Sequence, residues 1–371
     1  MLKRLLVVGQ LPPPHHGSNV MARVFLDSLR EIGYDVSFVE KPFSKQLSDV
    51  GKSSVGKLLK IPLIASRIIY RIVEEKPEIC FFFNAVRSPT FFVDALLLFT
   101  MNLLGQRYVL YVHGLGLLAL TNKLGMLTRF VVGRTLGNAI GAIVLSRSLE
   151  ADLDWCISSD RLFVLPNGIP DIDLTEKILN RRHGKPVQVL FLSNLIPSKG
   201  PMEFLQMAKK VLGKFENVKF VLAGPVVSPT FLQHLRDYIE KVELTDVVEI
   251  TGGLYGADKE KYFRESDIFV FPTHREAFPL VILEAMEWGL PVISSKQGAI
   301  PEIVRDGING CIVDAKNIEQ LAERTLYLIR NEEIRERMGK ESRRAYESAY
   351  SLEAYKRKLR VAVDFFLNVG R

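Results

Sequence analysis

Cysteine is scarce in this chain: Cys80, Cys156 and Cys311 are the only three in 371 residues, and they lie far apart. They form no Cys-x-x-Cys pair and no zinc-type spacing, so neither a disulfide framework nor a cysteine metal site is expected to organise the fold. Buried thiols in a reducing compartment are the better reading. Long apolar runs are missing as well. No stretch reaches the roughly eighteen residues that a spanning helix needs. Met1 to Gly9 is a short strand-like run without the long apolar core of a signal peptide. No repeat of about 20–50 residues and no low-complexity segment is visible. There is no RNP, KH or zinc-finger pattern, so nucleic acid is not an expected partner. Gly-x-Gly-x-x-Gly does not occur, which argues against a dinucleotide site. No cluster of metal-ligating residues is visible, so neither a metal nor any other cofactor is expected.

Acidic residues are absent from two intervals. Between Asp94 and Glu150 there is none, while Arg107, Lys123, Arg129, Arg134 and Arg147 fall there. From Lys52 to Val73 there is again none, against Lys52, Lys57, Lys60, Arg67 and Arg71. Much of the formal net charge of +7 therefore sits in the first half. A solvated face is one reading; attraction to anionic lipid or a phosphate-bearing acceptor is the other, and the two weigh equally here.

What is present is a normal globular balance, 47% hydrophobic and 25% charged residues. The length suits two domains of about 100–200 residues each. Short β-branched and aromatic runs alternate with amphipathic helical patterns. The first half has Leu5 to Val8, Val36 to Val39, Ile79 to Phe83, Tyr108 to Val112 and Ile143 to Leu145. The second half has Val189 to Leu192, Phe220 to Ala223, Val248 to Ile250, Ile268 to Phe271 and Val292 to Ser294. Continuous apolar strands alternating with helices predict parallel sheets covered on both faces. Two such series predict two Rossmann-like, doubly wound α/β lobes. The expected boundaries are 1–173, 187–350 and a closing segment 351–371, with a polar seam near 174–186. The last helix, Leu352 to Leu367, has an apolar face of Tyr355, Leu359, Val363 and Phe366, expected to pack back on the first lobe.

The segment from Thr273 to Gly289 carries the most chemistry. A buried strand ends at Pro272, and Pro279 suits the first turn of a helix because its missing N–H would be unpaired there. A strand, a loop and a helix N-terminus at the open end of a parallel sheet form an anion site. Glu276 lies in the loop and Glu284 about one turn into the helix, so two carboxylates would reach one crevice from different depths. They could accept hydrogen bonds from hydroxyls while backbone N–H groups hold a phosphate. A second strand–loop–helix, Phe191 to Gly200, brings Ser193, Asn194 and Lys199. A lone loop lysine usually points to solvent, but beside the Glu276/Glu284 segment a phosphate role is favoured.

These residues resemble glycosyltransferase family 4, retaining enzymes of the GT-B fold, whose two lobes face each other across a cleft. Glu276 and Glu284 match the family's E-x7-E motif, and Ser193 to Gly200 its strand–loop–Lys-Gly segment. Leu222 to Pro225, Gly289 to Ile293, Glu302 to Val304 and Asp306 to Gly310 resemble segments that accompany them. E-x7-E alone is a weak pattern; the ordered set over roughly 187–330 is specific. The resemblance implies that Glu284 holds the donor ribose, Glu276 the transferred sugar and Lys199 the pyrophosphate. It places Phe278, Pro279 and Leu280 around phosphate or sugar, and Gly253 and Leu254 near the base. The family's usual arginine ahead of the Lys-Gly pair is Asn194 here, a neutral donor, which weakens the expected support for the leaving group.

In the first half, Pro12 to Asn19 stands where the family keeps a glycine-rich loop that closes on the donor phosphates and the acceptor. Gly17 alone remains of its usual glycine pair, and a plain β–α turn is the alternative. His15, His16 and Ser18 are candidates for the acceptor side. Tyr111-Val112-His113-Gly114 ends a buried strand, and a histidine there contacts the donor sugar in the family; a lone histidine is otherwise more often structural. His183, His234 and His274 have no partner by spacing. Catalysis is therefore assigned to His113, Lys199 and Glu276. The resemblance implies transfer of a sugar from a UDP- or GDP-sugar to a saccharide acceptor, lipid-linked, in bacterial-type surface polysaccharide synthesis. The alternative is a catalytically weak nucleotide-sugar-binding scaffold. Leu59, Ile61, Ile64, Ile68 and Ile72, interleaved with Lys60, Arg67 and Arg71, suit an interfacial helix or, with more weight, core packing. The expected location is cytoplasmic or peripheral on the inner face of the cell membrane, with an anionic membrane surface as a partner.

Overall fold

A computed structural model describes residues 3–13, 17–42, 60–172 and 185–369. It divides into two compact units, Met1–Asn167 with Glu353–Arg371, and Gly168–Leu352. The polar seam expected near 174–186 falls almost wholly outside the described residues, as do His15, His16, His183, Lys52, Lys57, Leu58 and Leu59.

The first unit is a six-stranded parallel sheet of β1 (Arg4–Gly9), β2 (Asp35–Glu40), β3 (Ile79–Asn84), β4 (Tyr108–Val112), β5 (Gly141–Val144) and β6 (Leu162–Val164), in the order β2-β1-β3-β4-β5-β6. The chain steps one way from β1 to β2 and the opposite way through all later strands. Right-handed crossovers then put α1 (Gly17–Glu31) on one face. They put α2 (Ile61–Glu75), α3 (Thr90–Leu103), α4 (Leu117–Thr121) and α5 (Met126–Gly137) on the other. Helices on both faces explain why β3, Ile-Cys-Phe-Phe-Phe-Asn, is buried at every position and shows no alternation. The last helix of the chain, Leu352–Asn368, joins α1: Lys356 pairs with Glu31 at 2.6 Å, the Tyr355 and Tyr111 hydroxyls lie 3.3 Å apart, and Phe366 meets the Phe81 ring edge-on. Tyr355, Leu359, Val363 and Phe366 are all buried.

One charged pair is sealed inside this unit. Lys41, just past β2, donates to Asp94 Oδ1 of α3 and to the Phe83 carbonyl of β3, both at 2.7 Å. The other Asp94 oxygen accepts the Ala85 N–H at 2.7 Å. Burial pushes the Asp94 carboxyl up and the Lys41 ammonium down, and their mutual contact opposes both. The Lys41 N–H reaches the Gly9 carbonyl at the end of β1 at 2.7 Å. Residues 41 and 94 thus tie together the carboxyl ends of β1 and β3, the two strands between which the chain changes direction.

The second unit repeats the plan with β7 (Val187–Leu192), β8 (Val218–Ala223), β9 (Val248–Gly252), β10 (Ile268–Phe271), β11 (Val292–Ser295) and β12 (Gly310–Val313), all parallel, in the order β12-β11-β10-β7-β8-β9. Its helices are α6 (Pro201–Leu212), α7 (Pro229–Lys241), α8 (Gly256–Glu265), α9 (Leu280–Glu287), α10 (Ile300–Ile303), α11 (Ile318–Arg330) and α12 (Glu332–Ala349). Read from the other edge, the strands run third, second, first, fourth, fifth, sixth, the doubly wound order that opens a crevice between the first and fourth. Here that crevice lies at the carboxyl ends of β7 and β10. Strands β6 and β12 and helices α3, α5 and α12 are elements that the sequence reading did not anticipate.

Candidate active site at the switch point

The chain leaves β7 through Ser193 and Asn194 and makes one 3-10 turn, Pro197–Lys199, before α6. Gly200 joins turn to helix with φ 80°, and a Cβ there would stand 2.1 Å from the Pro272 carbonyl oxygen, so only glycine lets the two loops close up. Ser198 binds them further, its carbonyl accepting the His274 N–H at 2.9 Å and the Thr273 hydroxyl at 3.1 Å. His274, which the spacing left without a partner, has its Nε2 2.7 Å from Glu203 of α6. The Ser193 N–H pairs with the Ala223 carbonyl at 3.0 Å, and Gly224 lies so close that a Cβ would overlap the Ser193 oxygen.

This scaffold brings Lys199 and Glu276 together across the switch point. Lys199 Nζ donates to Glu276 Oε2 at 2.6 Å and to the Arg275 carbonyl at 3.3 Å. Glu276 Oε1 accepts the Ala277 N–H at 3.0 Å, which fixes the carboxylate plane. Both side chains are part-buried, so the pair is held in place yet open to a ligand. Pro279 stands one residue ahead of α9, in extended conformation, and not inside the first turn; Phe278 is buried and Leu280 opens the helix.

Glu284 does not share the Lys199 contact. Its Oε1 accepts from Lys259 Nζ of α8 at 2.7 Å. Lys259 is a cation that the sequence reading missed. Nothing in its spacing marks it, because α8 meets α9 only through tertiary packing. The site therefore holds two lysine–glutamate pairs, each joining a cation to a carboxylate. Gly253 and Leu254 follow β9, where Tyr255 and Pro225 crowd Gly253.

Behind the site, α9 ends on Glu287, a nearly buried carboxylate. The Tyr346 hydroxyl of α12 lies 3.3 Å from it and also faces the Ile169 and Pro170 carbonyls at 3.0 and 2.9 Å. Burial pushes the Glu287 carboxyl up to about 8, against the opposing hydrogen bond from Tyr346.

In the first unit, His113 directly follows β4. Its ring stacks on Phe83, centroids 5.2 Å apart and 13° from parallel, and leans on Tyr111 at 4.2 Å. The imidazole is thus oriented by aromatic neighbours. Gly17 and Ser18 open α1 at the end of the β1 loop. Among the described residues no group of three or more His, Cys, Asp or Glu could hold a metal ion.

Two doubly wound units, one with a lysine–glutamate pair across its switch point, define the fold class. Residues 174–345 match the family model for glycosyl transferases group 1. One relative is the capsular polysaccharide biosynthesis glycosyltransferase CapM of Staphylococcus aureus, 30% identical over 178 residues, 48% of this chain and 46% of CapM. The chain thus spans about half the length of the curated relatives it matches, 46% for both CapM and the Bacillus subtilis spore coat protein SA. Solved structures resemble it over nearly the whole chain. A glycosyltransferase from Rickettsia africae has a TM-score of 0.77 at 16% identity, covering 99% of each chain. Anabaena HepE in complex with UDP has 0.74 at 15% identity, covering 98% of this chain and 100% of HepE. The architecture is GT-B.

Proposed function

We propose that the protein is a retaining glycosyltransferase, a hexosyltransferase, that moves a sugar from a UDP- or GDP-sugar to a lipid-linked saccharide in surface polysaccharide synthesis. It would work in the cytoplasm at the inner face of the cell membrane. The observation that carries the reading is the Lys199–Glu276 pair across the β7/β10 switch point. A donor offers a diphosphate and several hydroxyls side by side. The diphosphate takes Lys199 and the N–H groups opening α9, with Phe278, Pro279 and Leu280 around it. Glu276 turns to the transferred sugar and Glu284 to the ribose, while Gly253 and Leu254 border the base. Lys259, released from Glu284, supplies a second positive charge where Asn194 gives none. In the first unit, His113 meets the donor sugar, and Ser18, with His15 and His16, serves the acceptor.

The bond from the anomeric carbon to the phosphate oxygen breaks as the acceptor oxygen bonds to that carbon on the same face. The departing phosphate accepts the acceptor's proton. Lys199 and Lys259 hold the charge that develops on the phosphate, an electrostatic task that needs no metal ion among these residues. The place of CapM in capsular polysaccharide biosynthesis and the UDP bound by HepE support this substrate class.

The test is a thermal-shift screen of UDP-, GDP- and ADP-sugars followed by transfer assays on each hit. Lys199→Ala and Glu276→Ala should each lower turnover by about 10²–10³-fold with the fold intact. Wild-type turnover in both would refute the assigned roles. Stabilisation by a donor that is never consumed, even with lipid-linked acceptors present, would favour the scaffold reading that Asn194 suggests.

A further inference from the structure

Helix α3 is apolar on every side, a pattern expected of a helix enclosed by protein. Phe91, Leu97, Leu98 and Met101 do face the core. Phe92, Leu96, Phe99 and Leu103, spaced four, three and four residues apart, form a second stripe that stands in solvent, Leu103 being 72% exposed. Helix α3 packs against α2 on one side and α5 on the other. Each neighbour continues the exposed surface. On α5, Met126, Leu127 and Phe130 are 89%, 77% and 68% exposed, with Val131 beside them. On α2, Leu63, Tyr70 and Val73 are exposed while Ile64, Ile68 and Ile72 fill the core. Helix α2 thus packs one face into the core and leaves apolar residues exposed on the other. Three adjacent helices exposing large apolar side chains exceed the scattered residues usual on a soluble surface and mark an interaction face.

Apart from Glu74 and Glu75 in the last turn of α2, the charges on this face are of one sign. From Ile79 to Leu149 the only acidic residue is Asp94, buried against Lys41. Arg67, Lys123 and Arg134 are exposed on or beside the three helices. On α2 the acids are confined to the last turn, Glu74 and Glu75, and Glu75 is paired with Arg71. A second copy of the chain would bring cations against cations. An anionic bilayer supplies both an apolar medium for the aromatic and aliphatic side chains and negative headgroups for the cations. No described helix is long and apolar enough to cross a membrane, so the face would lie in the interface.

We infer that the joint face of α2, α3 and α5 docks the first unit onto an anionic lipid surface, with Phe99, Leu103, Leu127 and Phe130 entering the acyl boundary. The inference extends the membrane location proposed above but rests on surface chemistry alone, so either can fail without the other.

The test is flotation of the full chain with phosphatidylcholine vesicles and with the same vesicles carrying phosphatidylglycerol. Binding is expected to the anionic vesicles, weaker by at least about tenfold to the neutral ones, and reduced by salt. Phe99→Glu with Leu127→Glu should weaken binding by more than about tenfold while leaving the thermal shift with UDP unchanged. Lys123→Gln with Arg134→Gln should narrow the difference between the two vesicle types. Failure of the wild type to float, or equal flotation of the Glu variant, overturns the inference. So does a wild-type dimer in sedimentation that the Glu variant dissociates without any vesicle binding, because the face would then belong to a second copy. Loss of the UDP response with flotation intact would count against the transferase reading and leave the membrane face standing.

Discussion

Lys41→Met tests whether the buried pair beneath the first unit's switch point holds β1 and β3 in place. The substitution keeps most of the apolar stem and removes the ammonium, leaving Asp94 fully buried with the Ala85 N–H still donating to it. Breaking a buried pair from one side costs about 3–5 kcal/mol, because the surviving charge is uncompensated. At a urea slope of about 2 kcal/mol per molar, the midpoint should fall by about 1.5–2.5 M. Each unit carries one tryptophan, Trp155 in the first and Trp288 in the second, so a Trp288→Phe background reports the first unit alone. Urea is the right denaturant, since guanidinium would screen the charges. Lys41→Met with Asp94→Asn should recover to within about 1 kcal/mol of the starting protein, because no charge is then stranded. The deficit of the single variant should also shrink as pH falls. An unpaired buried carboxyl has a raised folded-state pKa, so it contributes stability at low pH that is lost as pH rises. A single variant that loses less than about 1 kcal/mol, or a double variant as unstable as the single one, would refute the reasoning.

Three further outcomes follow from the second unit. Lys259→Ala should weaken UDP binding by about tenfold in calorimetry, the worth of one hydrogen bond to a charged group, and an unchanged Kd would remove Lys259 from the donor site. Glu287 binds a proton in the fold that it gives up on unfolding between its ordinary value of 4.5 and about 8, so second-unit stability should fall there by about 1.4 kcal/mol per pH unit. Glu287→Gln should flatten that slope when Trp288 is followed in a Trp155→Phe background, and parallel profiles for variant and parent would contradict the buried, protonated carboxyl. Gly200→Ala forces a Cβ against the Pro272 carbonyl at a φ of 80° and should cost the second unit about 3 kcal/mol, with donor binding lost alongside; a variant of normal melting temperature would show that the two loops are not locked together.

The strand–helix alternation was legible because its cause is local. A strand covered on both faces must be apolar throughout, so Ile79 to Phe83 and Ile268 to Phe271 read as buried strands without any knowledge of their neighbours. Glu276, Glu284 and Lys199 were legible for a similar reason: each sits at a fixed distance from a strand end or helix start, where the unpaired N–H groups of a helix favour anion chemistry. Pairing was not legible. That Lys199 meets Glu276 while Glu284 meets Lys259 depends on which loops the sheet order makes neighbours, and β7 lies beside β10 although 75 residues separate Leu192 from Ile268. The same limit hid the partner of His274, on α6, and the role of Asp94, whose acidity reads as surface until Lys41 is found against it. Helix α3 shows the boundary most plainly. Its nearly continuous apolar sequence gives no sign of which face turns inward, and only the packing of α2, α3 and α5 decides which stripe the protein itself covers and which stands exposed.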